Sequence, residues 1–80
     1  GDIGMRDPPD VRRALLDYKA ALENAAQAQE DMASRLALLA DELEQHGQPK
    51  LANNLQRTCH QHRASSIKNR ALAASLMVPD

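Results

Sequence analysis

Val11, Leu15, Tyr18, Leu22, Ala25, Gln29, Met32, Leu36, Leu39, Leu43 and His46 recur at alternating spacings of four and three, with no slip. Apolar positions every 3.5 residues place one stripe along one side of a long helix, and water leaves such a stripe stable only against other helices. Two further rows flank this seam. Ala14, Ala21 and Ala28 lie on one side and Ala26, Ala33 and Ala40 on the other. These small residues widen the stripe and let neighbouring helices approach closely from two directions, as a bundle requires.

Turn chemistry sets the ends of the elements. Asp7-Pro8-Pro9-Asp10 reads as a helix start, with Asp7 as N-cap, Pro8 at the first helical position and Asp10 in the positive first turn. No Pro or Gly follows until Gly47, so the first helix is predicted over about 8–46, close to 55 Å long. Gly47 suits the left-handed residue that ends a helix, and Pro49 the first position of the next. A turn at 47–48 sends the second helix, about 49–78, back along the first until Pro79 stops it. The predicted fold is therefore all-α, a hairpin of two long antiparallel helices. It forms one domain over 7–80, after an N-terminus (1–6) that reads as disordered or as a non-native leader ahead of Met5.

Placing the turn at 47–48 sets the expected pairing. Leu43 is predicted to face Leu51, Leu39 to face Leu55, Leu36 to face Cys59 and Met32 to face His62. Gln29, His62, Ser65, Ser66 and Asn69 then fall at one height as a polar layer between two apolar ends. A polar layer costs stability but fixes register and partner number.

Composition turns the hairpin into an assembly. The 80 residues hold fourteen Ala and eleven Leu, no Trp or Phe, and Tyr18 as the only aromatic. A Leu/Ala core on a chain this short buries little area per residue, and such chains commonly rely on oligomerisation. A ribbon of two helices also leaves apolar surface wet. The expected solution is a homodimer, two hairpins forming a four-helix bundle. Leu15, Leu22, Leu36, Leu39, Leu43, Leu51, Leu55, Leu72 and Leu76 are its predicted interface. Leu16 and Leu38 lie outside the seam and are candidates for contact with another protein. Two helices, one tight turn and a dimeric bundle resemble the Rop-like bundles in plan only; no Rop motif aligns and no activity is carried over.

Charge divides along the same boundary. Residues 10–46 carry eight acids and four bases, net −4; residues 47–78 carry five bases and no acid, net +5. Opposite charge on adjacent helices favours their pairing, although each exposed ion pair contributes only ~0.2–1 kcal/mol. The acids Asp41, Glu42 and Glu44 sit at the unfavourable negative end of the first helix, where pairing across the turn with Lys50 and Arg57 is the expected remedy. The five bases Lys50, Arg57, Arg63, Lys68 and Arg70 also permit an alternative reading, contact with nucleic acid phosphates. Against it stand the net charge of −1, the lack of aromatics for base stacking and the neutralising acids of the first helix.

Catalytic and metal chemistry find little here. Cys59 and His62 share a helix face and can offer two soft ligands, but no second close-spaced set accompanies them, and a small core thiol is the simpler reading. There is no Gly-rich phosphate loop and no nucleophile with base and orienter. No cofactor is expected. One cysteine, no signal peptide and no apolar run near the ~20 residues of a membrane span point to a cytoplasmic protein without a membrane role. The sequence thus reads as a small non-enzymatic protein–protein interaction module, a self-associating adaptor, chaperone-like or regulatory protein. A small nucleic-acid-binding regulator is the alternative.

Overall fold

The computed structural model describes residues 8–78 and contains two α-helices, α1 (Pro8–Gln45) and α2 (Pro49–Ser75), packed on one another. Asp7 and the N-terminal segment 1–6 lie outside the described residues. The reversal between the helices follows from three backbone bonds. Gly47 takes φ +75°, its N–H donates to the Glu44 carbonyl at 3.1 Å, and the Gln48 N–H donates to the Leu43 carbonyl at 2.8 Å. This pair of bonds satisfies carbonyls that the end of α1 would otherwise leave open, and only glycine adopts that φ without steric cost. Pro49 then opens α2, with the Ala52 N–H on the Gln48 carbonyl at 3.0 Å.

α2 ends earlier than predicted, at Ser75 rather than about Val78. Leu76 is extended (φ −71°, ψ 127°) and donates back to the Ala73 carbonyl at 3.3 Å. Proline restricts the residue before it to extended backbone, so Val78 could not close a helical turn ahead of Pro79.

The packing seam differs from the predicted one. On α1 the buried residues are Ala26, Ala33 and Ala40; on α2 they are Ala52, Cys59, Ser66 and Ala73. Both sets repeat every seven residues, so each helix presents its smallest row to the other. Small facing rows let helix axes come close, toward the lower end of the usual 8–10 Å. The row 15/22/29/36/43, shared with the predicted seam, is half-buried beside the alanines. The seam's other half is turned out of the hairpin: Tyr18, Met32 and Leu39 are exposed.

The pairing changes accordingly. Cys59 Sγ donates to the Ala33 carbonyl at 3.1 Å instead of facing Leu36, and Asn69 Nδ2 donates to Gln29 Oε1 at 3.0 Å. Steps of seven from the Gln29–Asn69 pair bring Leu22 level with Leu76, Leu36 with His62 and Leu43 with Leu55. The molecule is a ribbon, with principal extents of 69 × 17 × 14 Å.

Candidate protein-interaction face

Helix geometry gives this ribbon two unlike faces. Beside the buried small rows, one face carries positions 30 and 37 of α1 with 56, 63 and 70 of α2. The other carries the half-buried leucine row and, outside it, positions 18, 25, 32 and 39 with 51, 58, 65 and 72.

The first face is polar and locked. Arg70 donates from Nε to Glu30 Oε2 at 2.6 Å and from Nη2 to Glu30 Oε1 at 2.9 Å, with a longer contact to Gln27 Oε1 at 3.4 Å. Buried Ser66 donates its hydroxyl to the same carboxylate. The Arg70 bonds first, and the Ser66 bond second, hold the Glu30 carboxyl down from the ordinary 4.5 to about 2. Glu30 in turn raises Arg70 above its usual value. A bidentate guanidinium–carboxylate pair with a third donor fixes geometry as well as charge. Further toward the turn this face bears a shallow groove of about 230 Å³ bounded by Ala37, Asp41, Gln56, Cys59, His60 and Arg63. Its one buried wall is Cys59, whose thiol is already engaged with Ala33.

The second face is apolar and open. Leu15, Leu22, Leu36 and Leu43 of α1, with Leu55 and Leu76 of α2, are half-buried along its centre. Outside them Tyr18 (48%), Met32 (45%), Leu39 (49%), Leu51 (51%) and Leu72 (42%) remain exposed. All nine leucines expected at an oligomer interface therefore share this one face of the ribbon. Leu16 (39%) and Leu38 (70%) do not: Leu16 lies beside the polar face and Leu38 on the outer surface of α1. Ile67, 70% exposed on the outside of α2, is a further apolar position the sequence reading passed over.

The expected polar layer is split between the two faces. Gln29 and Asn69 bond one another on the apolar face, and His62 is half-buried one step of seven from Asn69. Ser66 points the other way, to Glu30, and Ser65 is exposed. Glu30, which completes the polar lock, was not singled out from the sequence. The expected register sets Glu30 level with residues 64–65, several positions short of Arg70, so only the packed helices and the long reach of the guanidinium bring the two together.

The cations separate in the same way. Arg70 is tied to Glu30, and Arg63 borders the groove. Lys50, Arg57 and Lys68 are exposed, and among the described residues none has a carboxylate within 4 Å. Pairing of Asp41, Glu42 and Glu44 with Lys50 and Arg57 across the turn is therefore absent among the described residues. The end of α1 is relieved instead by His46, whose Nδ1–H donates to the Glu42 carbonyl at 2.8 Å. No group of three His, Cys, Asp or Glu side chains converges among the described residues, and no described helix is long and apolar enough to cross a membrane.

Compared with known proteins, the chain matches no family model, no curated protein and no solved structure.

Proposed function

We propose that the protein is a non-enzymatic protein–protein interaction module that works through its apolar face, first by pairing with itself as a homodimeric four-helix bundle. The observation that carries this is the one-sided placement of the leucines. A ribbon locked by Glu30–Arg70 on one face and lined by nine leucines on or beside the centre of the other has one surface to cover.

Area supports the same reading. A compact folded chain of 8.8 kDa exposes about 4,800 Å². This one exposes 6053 Å². The excess, roughly 1,300 Å², exceeds the ~800 Å² per partner of a typical stable interface. A cytoplasmic adaptor, chaperone-like or regulatory role fits such a module, and a reducing compartment suits its buried, unpaired Cys59 thiol.

Sedimentation equilibrium tests the proposal. The wild-type chain is expected at twice the monomer mass, and Leu39→Glu with Leu51→Glu at the monomer mass with helicity retained. A wild-type monomer across micromolar concentrations would remove the basis for self-association. The nucleic-acid reading keeps one specific support, the outward, unpaired Lys50, Arg57 and Lys68. It predicts retention on duplex or single-stranded DNA that falls steeply with salt.

A further inference from the structure

Two symmetric dimers bury the same apolar face, and they differ in which helices meet. If the two-fold axis runs along the ribbon, both turns lie at one end and α1 of one copy stacks on α2 of the other. If the axis runs across the ribbon, the turns lie at opposite ends, α1 stacks on α1 and α2 on α2. The area covered is equal, so apolar burial does not choose between them.

Charge does choose. The region holding α1 carries net −4 and the region holding α2 net +5. The crosswise axis sets like against like along the whole bundle. Its natural position is level with the Gln29–Asn69 pair, near the middle of α1, and there it brings exposed Lys68 beside its own symmetry copy. The lengthwise axis instead sets α1 of each copy against α2 of the other, opposite charge against opposite, and keeps the two Lys68 side chains on opposite edges. Each level then meets its own copy: Gln29 lies over Asn69 of the second copy, Leu36 over its His62, and Leu43 over its Leu55. Under either axis the Gln29–Asn69 pair meets its own copy on the facing hairpin, where an unmatched amide in a bundle core would cost free energy, so this layer sets the level of stacking and charge sets its direction. Oppositely charged surfaces also speed association and disfavour the wrong arrangement.

We infer that the occupant of the apolar face is a second copy of this chain, stacked with both Gly47 turns at the same end and α1 against α2. This rests on the self-association proposed above and adds its orientation.

Distance measurement between spin labels settles the arrangement. A label at Gln48→Cys, in a Cys59→Ala background that keeps the buried row small, reads the separation of the two turns. Same-end stacking gives a distance below about 30 Å, given axes 8–10 Å apart and the reach of the label arms. A distance of about 55 Å or more, the length of α1, would overturn the orientation while leaving the dimer intact. A monomer in the same sample, seen as its sedimentation mass, would instead overturn self-association. The unmodified chain supplies a second measurement that needs no variant. Amine cross-linking of mixed ¹⁴N and ¹⁵N chains is expected to join Lys50 to Lys50 between copies; joining Lys50 to Lys19 between copies speaks for the opposite-end arrangement and against the inference.

Discussion

Arg70 closes on Glu30 through two hydrogen bonds, 2.6 and 2.9 Å, across the side of the hairpin opposite the exposed Leu39 and Leu51. The strongest polar contact between the helices and the widest apolar surface therefore lie on opposite faces. That division is what gives the molecule a front and a back.

The Glu30 cluster predicts how stability responds to acid. Its carboxyl sits at about 2 in the fold against an ordinary 4.5, so the native state favours the ionised form. The stability this contributes is fully present above the unfolded value and is lost as pH falls from about 4.5 through about 2. Thermal melts followed by circular dichroism should show the midpoint dropping across that window in wild type. Glu30→Gln should lower the midpoint at pH 7 and flatten its fall in acid; parallel curves for the two proteins would show that the cluster contributes nothing.

Gly47 makes a second prediction. A Cβ there would meet nothing within 4 Å, so the cost of Gly47→Ala is conformational alone. With φ at +75°, alanine should destabilise the hairpin by about 1–2 kcal/mol, and Gly47→Asn by less. Urea titration measures both. Equal stability of all three proteins would mean the turn does not hold its left-handed residue in solution.

The identity of the seam is testable by exchanging size. Ala33 is buried against Cys59, whereas Leu38 is 70% exposed. Ala33→Leu should force the helices apart and cost about 1–3 kcal/mol. Leu38→Ala should change stability by no more than ~0.5 kcal/mol. The larger penalty on the smaller residue would mark the 26/33/40 row as the closely packed one. The reverse order of penalties would show that this row does not form the hairpin core.

Gln29 and Asn69 give a prediction about specificity. Gln29→Leu alone strands the Asn69 amide and should lower the melting temperature. The double variant Gln29→Leu with Asn69→Leu should melt above wild type, because two apolar groups replace a hydrogen-bonded pair on a face that becomes core. It should keep the same-end orientation, seen as one short turn-to-turn distance in the spin-label experiment, because the charged surfaces are unchanged. A double variant with two turn-to-turn distances would show that the polar pair, and not charge, selects the orientation.

What the sequence by itself determined is the number, length and direction of the helices. An uninterrupted run to Gly47, a glycine that can turn left-handed and a proline that can begin a helix are local signals, and each acts through its own backbone. The heptad period was equally legible. What the period leaves open is which side of the leucine row faces the second helix, because 15/22/29/36/43 borders 18/25/32/39 on one side and 26/33/40 on the other. The larger residues look like the core when one helix is read alone. Only the tertiary structure could decide, since the choice depends on a row 12 to 47 positions away. Ala52, Cys59, Ser66 and Ala73 match Ala26, Ala33 and Ala40 in size, and two small rows bring the backbones close enough for the Cys59 thiol to reach the Ala33 carbonyl. Once that seam closes, the leucines face outward together, and the Glu30–Arg70 pair forms behind them.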